Sequence, residues 1–398
     1  MKICLCINGR PHEGGMTTSV NEYADALRKL KHQVDVITIF GCSSYRKVKP
    51  NLVKKTDKLF KNRPSLTLII YLISKLVLGF HLYKYFLFKK YDVIFAMDFS
   101  AVNIARPLKK VFGVPVLHFY FGGIAELLDQ GKLRYNSWIT DYFLKEEKIS
   151  IKNADLIITS PALVPNIKQA SQIVPPIFLI RSTVNPEKFY PDANKRKNYR
   201  EKLKITPEKF VLLFTGRLDP RKGIKYPALA INELLKKGFN NFLLLYAGEG
   251  PEKNFLENFI KENNLSGYIK ILGAVSHHEI PDLYRAADCL LFTSIQQHGI
   301  QEPISISPLE AMASETPVIA FDLKDIASEK KILINEKNCF LVTEKDYLAL
   351  SETILKLYRN KELREKISNQ GREEIFQGGW TPDEIIDSIL KTISGSKF

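Results

Sequence analysis

The feature that most constrains this fold is one alternation, run through the chain twice. Short apolar runs at Ile3–Ile7, Val34–Phe40, Val93–Ala96, Val114–His118 and Leu156–Thr159 are separated by longer stretches of helical character. The same texture restarts at Phe210–Phe214, Phe242–Ala247, Ile269–Leu272, Cys289–Thr293 and Pro317–Ala320. Apolar runs this short, with helices between them, predict strands buried on both faces of parallel sheets. Between the two series, Pro175, Pro176, Pro186 and Pro191 interrupt the chain and a basic run follows from Lys195 to Lys202. A chain of 398 residues exceeds the roughly 250 residues that one core supports, so two domains are expected. The boundaries expected are 1–190, 191–378 and a last helix within 379–398, with Thr381 as its cap and Pro382 in its first turn.

The opening segment reads as strand, loop, helix and strand. Thr17, Thr18 and Ser19 can cap a helix whose apolar residues Val20, Tyr23, Ala24, Leu27 and Leu30 recur at helical spacing. The glycine pair Gly14–Gly15 sits in the first turn of this βαβ unit, where phosphate-bearing ligands approach. Lys and Arg outnumber Asp and Glu by 58 to 43, a net charge of +15 that predicts attraction to polyanions without choosing among them. Five scattered cysteines (Cys4, Cys6, Cys42, Cys289 and Cys339) support neither a disulfide framework nor a zinc site, and a reducing compartment is expected. The apolar run at the N-terminus is too short for a signal peptide, and no uninterrupted run reaches the roughly 20 residues that span a bilayer. A cytoplasmic protein is expected.

Two segments carry chemistry. Gly216-Arg217-Leu218-Asp219-Pro220-Arg221-Lys222-Gly223 directly follows the first strand of the second series. Glycines at such a turn let backbone approach a ligand, while Arg217 and Lys222 suit the oxygens of a pyrophosphate; a solvated basic turn is the alternative. The second segment runs from Glu302 through Pro303, Ile304, Ser305, Ile306, Ser307 and Pro308 to Glu310. Here Ser307 and Pro308 read as the cap and first residue of a helix, with Glu310 closing a capping box. The alternative is a ligand site: Glu310 on a ribose diol, Glu302 on a sugar hydroxyl, and free backbone N–H groups from Ile304 to Ser307 on phosphate.

Together these segments resemble the retaining glycosyltransferases of family 4, which have the GT-B fold. Gly216–Gly223 fits the G-R-L-x-x-x-K-G motif and Ala247-Gly248-Glu249-Gly250-Pro251 fits the G-x-G-P turn. Leu283-Tyr284-Arg285-Ala286-Ala287-Asp288 leads to the next strand, and Glu302 and Glu310 fit the E-x7-E pair. The resemblance implies an α/β architecture of two Rossmann-like parallel-sheet domains facing a central cleft. It further implies a C-terminal helix, opened by Trp380, that crosses back to the first domain. His118 stands where the family keeps a histidine pointing at the donor sugar, and Gly14–Gly15 fits the glycine-rich loop. The chain departs from the family at Pro303-Ile304-Ser305, where G-F-G is usual, and at Glu315, where a glycine is usual.

The function implied is transfer of a sugar, with retention, from a UDP-, GDP- or ADP-linked donor to an acceptor hydroxyl in cell-surface polysaccharide or glycolipid synthesis. No D-x-D triplet and no cluster with metal-ligand spacing occurs, so a metal-independent reaction without cofactor is expected. Arg217, Lys222 and helix-start amides then balance the leaving diphosphate, while His118 and Glu302 orient the sugar. Donor-binding residues are Gly14, Gly15, Gly216, Arg217, Lys222, Ile304, Ser305, Ile306 and Glu310.

Eight basic residues from Arg46 to Arg63 face a single acid, Asp57, and the apolar run Leu66–Phe88 follows, broken by Lys75, His81 and Lys84. Residues 46–90 could lie on an anionic membrane surface or form a packed helix behind a solvated loop. Two rival classes are a non-catalytic, membrane-associated GT-B subunit and a nucleotide-sugar epimerase. A nicotinamide dehydrogenase is disfavoured by the missing G-x-G-x-x-G, and a nucleic-acid binder by the lack of aromatics within the basic run.

Overall fold

The computed structural model describes residues 1–8, 15–42, 64–124, 137–296, 306–323 and 332–395. Within it the chain forms two compact units, Met1–Arg181 with Pro382–Phe398, and Ser182–Thr381. The chain thus changes unit at 181/182 and at 381/382, beside the expected 190/191 and 378/379.

The first unit contains β1 (Lys2–Cys6), α1 (Gly15–Lys29), β2 (Gln33–Thr38), β3 (Gly41–Cys42), α2 (Pro64–Phe88), β4 (Val93–Ala96) and α3 (Phe99–Phe112). It continues with β5 (Val116–Tyr120), α4 (Ser137–Asn153), β6 (Leu156–Thr159), α5 (Val164–Ala170) and β7 (Ile177–Leu179). The sheet order is β3-β2-β1-β4-β5-β6-β7, parallel except for the β2–β3 pair. Successive residues of a strand point to opposite faces, and the packing follows that parity. Ile3, Leu5 and Ile7 pack with Val20, Tyr23, Ala24 and Leu27 of α1. Cys4 and Cys6 pack on the other face with Leu78, Leu82 and Phe86 of α2 and Ala101, Val102 and Ala105 of α3.

The second unit contains α6 (Ala193–Lys202), β8 (Phe210–Thr215), α7 (Lys225–Lys236), β9 (Phe242–Ala247), α8 (Lys253–Glu262), β10 (Ile269–Gly273), α9 (Ile280–Ala286) and β11 (Cys289–Phe292). Then follow α10 (Ile306–Ala313), β12 (Val318–Asp322), β13 (Phe340–Thr343), α11 (Tyr347–Arg359) and α12 (Lys361–Gln377). The sheet is parallel, in the order β10-β9-β8-β11-β12-β13. Parity again assigns the faces: Phe210, Leu212 and Phe214 pack under α7, whereas Val211 and Leu213 pack with Leu309 and Met312 of α10. At about 1.5–3 kcal/mol per buried large aliphatic or aromatic side chain, these two-sided strands dominate the favourable side of folding.

The last helix, α13 (Pro382–Gly395), belongs to the first unit. Ile385, Ile386, Ile389 and Ile393 lie in the core formed by α1 and β1, and Lys29 pairs with Asp383 at 3.5 Å. Trp380, just before it, is fully buried in the second unit's core, and its carbonyl accepts from the Val184 N–H at 2.9 Å. The turn into it needs Gly378, because a Cβ there would meet the Glu374 carbonyl at 2.4 Å.

Several boundaries differ from those read in the sequence. Helix α1 starts at Gly15, so Thr17, Thr18 and Ser19 lie inside it and not at its start. Strand β5 starts two residues later than expected and ends at Tyr120, because Pro115 cannot donate to a ladder. Helix α10 starts at Ile306, which puts Ser307 inside its first turn and not at the cap. Leu68–Phe88 within α2 is long and apolar enough to cross a membrane by length and composition, contrary to the expectation from uninterrupted runs. Its interruptions are few, and one face, with Leu78, Leu82 and Phe86, packs into the first unit's core.

Candidate active site

In the second unit the chain runs from β8 to one edge of the sheet and then, at β11, to the other, so the strand order reverses between β8 and β11. Ligands of open α/β sheets bind at such a switch point, outside the carboxyl ends of the strands. The loop Gly216–Gly223 leaves β8 there, and Thr293–Gln296 leaves β11 beside it. The two loops are stitched together. The Thr293 hydroxyl donates to the Lys222 carbonyl at 3.2 Å, and the Ile295 N–H donates to the Arg221 carbonyl at 2.8 Å.

The glycines of the motifs make this stitching possible. The Gly216 N–H donates to the Ala247 carbonyl at 3.0 Å, and Leu218 N–H to the Glu249 carbonyl at 3.0 Å. A Cβ on Gly248 would lie 1.8 Å from the Gly216 carbonyl oxygen, and one on Gly250 2.2 Å from that of Leu218. A Cβ on Gly223, at φ +58°, would lie 2.1 Å from the Thr293 carbonyl oxygen. These three glycines therefore serve contact between neighbouring loops of the chain itself, and for Gly223 this replaces the approach to a ligand that the sequence suggested. Gly216 differs: its φ is +138°, and among the described residues nothing lies within 4 Å of where its Cβ would be. It is the glycine of this ledge with open space above its backbone.

A buried carboxylate organises the positive charge. Asp219 is 7% exposed, and its Oδ1 accepts from the Arg221 N–H at 3.1 Å, capping the single turn Pro220–Lys222. Its Oδ2 lies 3.6 Å from Arg217 Nε and 3.7 Å from Arg221 Nη2. The Arg217 side chain is 58% exposed, so the guanidinium is anchored at its base and open to solvent at its end. The sequence reading passed over Asp219; the Asp-Pro pair at the start of a turn is the signal that could have found it.

Glu310, on α10, is tied to this loop by hydrogen bonds. The Tyr284 hydroxyl donates to Glu310 Oε2 at 2.8 Å and lies 2.8 Å from the Thr215 hydroxyl, on the residue before Gly216. The capping-box partner expected of Glu310 is replaced, for this oxygen, by a phenol from α9. Burial, and next the Glu310 carboxylate, push the Tyr284 phenol far above its ordinary pKa, so it remains a proton donor. The structure thus brings Gly216, Arg217 and Glu310 together at the switch point, with the backbone of Lys222 in the same turn. Ile306, the first residue of α10, is exposed; Ser294, two residues beyond β11, is buried and its hydroxyl has no partner among the described residues.

Gly14, Glu302, Ile304 and Ser305 lie outside the described residues, and Gly15 is the first residue of α1. The placement of His118 at a strand end is corrected. It is the third of five residues in β5, paired with Ala96 on one side and Ile157 on the other, and 1% exposed. Burial lowers its pKa to about 3, and Nδ1 has no hydrogen-bond partner among the described residues. The carboxyl end of β5 is instead continued by Phe121, Gly122 and Gly123. Next to it the buried Glu147 accepts from the Tyr120 hydroxyl at 2.6 Å and from the Ile124 N–H at 3.3 Å. No group of three or more His, Cys, Asp or Glu that could hold a metal ion occurs among the described residues.

Comparison with known proteins agrees with this fold. Residues 13–188 match the family model "Glycosyltransferase Family 4" and residues 195–374 match "Glycosyl transferases group 1". The chain belongs to this family of glycosyltransferases, and its fold is GT-B. It is 24% identical to an uncharacterized glycosyltransferase of Methanocaldococcus jannaschii, over 92% of this chain and 90% of the relative. It is 26% identical to the UDP-Gal:alpha-D-GlcNAc-diphosphoundecaprenol alpha-1,3-galactosyltransferase of Escherichia coli, over 79% of this chain and 78% of that protein. The crystal structure of Anabaena HepE in complex with UDP superposes with a TM-score of 0.65 at 19% identity, covering 100% of both chains.

Proposed function

We propose that this glycosyltransferase takes its sugar from a nucleoside-diphosphate donor held at the β8–β11 switch point. The observation that carries this reading is the assembly there: open backbone at Gly216, an anchored but exposed Arg217, Lys222 beside it, and the Glu310 carboxylate presented from α10. Arg217 offers a planar fork to diphosphate oxygens, Lys222 a compact charge, and Glu310 two acceptor oxygens for a ribose diol. The UDP bound by HepE supports UDP as the first donor base to try, with GDP and ADP as the alternatives.

In this reading the reaction proceeds with retention and without metal or cofactor. The acceptor hydroxyl attacks the anomeric carbon as the bond to the diphosphate breaks, and its proton passes to the departing phosphate oxygen. Arg217 and Lys222 stabilise that charge, and losing one such donor costs about 10²–10³ in rate. Glu302 orients the sugar. We leave His118 out of this mechanism, since a neutral ring inside a sheet has no exposed atom to offer a substrate.

The acceptor is lipid-linked in this proposal, and the enzyme works in the cytoplasm on the inner face of the membrane. Support comes from the outer face of α2, where Leu76, Phe80 and Leu87 are exposed at 75%, 67% and 75%, near Lys84, Lys89 and Lys90. A helix lying in the interface would insert such a stripe and set its basic residues on anionic headgroups. Binding to anionic but not neutral vesicles, reduced by Leu76→Asp and Leu87→Asp, is expected; equal binding by the variants would sink this placement.

Thermal-shift titration with UDP, GDP, ADP, CMP and NAD tests the donor site. Stabilisation by one nucleoside diphosphate, lost in the Arg217→Ala/Lys222→Ala double variant, is expected. If no diphosphate stabilises the folded protein, the donor assignment falls and a non-catalytic subunit becomes the better reading. Conversion of donor without any acceptor would favour an epimerase.

A further inference from the structure

We infer that Tyr284 is a positioning residue of the donor site, aiming the Glu310 carboxylate so that the enzyme selects a ribonucleotide over its deoxy analogue. The inference rests on the donor reading above and adds to it the side chain that makes Glu310 a recognition group.

The argument begins with valence. A phenol has one proton to donate and an oxygen that accepts. Tyr284 Oη stands 2.8 Å from Glu310 Oε2 and 2.8 Å from Thr215 Oγ1. A carboxylate accepts only, so the phenol's proton points to Glu310 and the Thr215 hydroxyl donates to the phenol. The direction of the whole relay is thereby fixed, from Thr215 through Tyr284 to Glu310.

Each member is immobile for a separate reason. Tyr284 is fully buried, its ring packs edge-on against Phe189 at 5.9 Å, and its own carbonyl accepts from the Thr316 hydroxyl at 2.9 Å. Thr215 ends β8, and Glu310 is fixed to α10 between the buried Leu309 and Ala311. A neutral donor suits the task better than a basic residue would. It fixes the carboxylate's direction without cancelling the charge, which leaves the group able to accept from two neighbouring hydroxyls. A freely rotating glutamate would lose side-chain entropy on binding; one held in advance loses less.

The test compares a nucleoside diphosphate that binds the wild type with its 2′-deoxy and 3′-deoxy forms, by calorimetric titration. Tyr284→Phe removes only the hydroxyl and keeps the ring in its packing. We expect Kd for the ribonucleotide to rise about tenfold and the penalty for the deoxy forms to shrink toward none, with Tm nearly unchanged. Glu310→Gln should show the same loss of discrimination, and the double variant no more than either alone. Unchanged discrimination in Tyr284→Phe, while Glu310→Gln loses it, would overturn the positioning role and leave the donor site standing. A wild type that binds no nucleoside diphosphate would overturn both. Should Tyr284→Phe fold poorly, Thr215→Val, which removes only the far end of the relay, should give a smaller rise in Kd; no rise would again refute the relay.

Discussion

The carbonyl oxygen of Gly216 occupies the space that a Cβ on Gly248 would need, at 1.8 Å. Two loops from neighbouring strands therefore touch backbone to backbone at the edge of the proposed donor site, with the Gly216 N–H bonded to the Ala247 carbonyl at 3.0 Å. Replacing Gly248 by Ala forces the loops apart. We expect a loss of about 2–3 kcal/mol, read as a Tm lower by roughly 4–12 °C, with weaker nucleotide binding. A Tm within a degree of wild type would show that the loops separate freely.

Asp288 is expected to matter for stability and not for chemistry. Its carboxylate accepts from Arg196 Nη2 at 2.5 Å, Arg200 Nη1 at 3.3 Å and the Val211 N–H at 2.7 Å, fastening α6 to the start of β8. Asp288→Ala leaves two guanidinium groups and an N–H short of a partner, a loss of about 3 kcal/mol. Chemical denaturation measures it; a purified, folded variant should keep wild-type KM for the donor.

Glu315 stands where a glycine is usual, and the structure shows why glycine would fit. It follows α10 at φ +57°, the left-handed region that costs a non-glycine residue about 1 kcal/mol. Its carboxylate lies 3.4 Å from Arg372 Nε, a partly exposed pair that returns a few tenths of a kcal/mol. Strain outweighs the pair, so Glu315→Gly should raise Tm by one to three degrees, on the order of half a kcal/mol. A lower Tm would mean that the ion pair is the larger effect.

His118 sets a pH dependence of stability. Its pKa is about 3 in the folded chain and near 6.5 when unfolded. Between these values the unfolded state binds the extra proton, so the contribution is complete above pH 6.5 and is lost as pH falls toward 3. The slope approaches about 1.4 kcal/mol per pH unit within that window. Stability curves of wild type and His118→Gln, measured from pH 7 to 4, should converge as the pH falls. Parallel curves would place a charged or solvated imidazole at this position.

The strands around the proposed donor loop were legible because each is a short apolar run between helical stretches, and Gly216–Gly223 and Glu310 were legible as motifs. Strands β7 and β13 were not read: Ile177–Leu179 hides behind Pro175-Pro176, and Phe340–Thr343 is too short to show a period. Tyr284 and Thr215 were passed over because nothing local separates a buried tyrosine that packs from one that also donates. His118 was read two residues too near the strand end, since a proline within the apolar run moved the true start of β5.

The sequence by itself determined the two mainly parallel sheets, because strands covered on both faces are apolar at nearly every position, and that pattern is local. It also determined which residue types line the proposed donor loop. Only the tertiary structure decided their duties. Whether a glycine serves a ligand or a neighbouring loop, or a glutamate caps its own helix or takes a phenol from another, depends on atoms far apart in sequence. Such distances of 2–3 Å arise when β8, β9 and β11 align, and no local spacing encodes them.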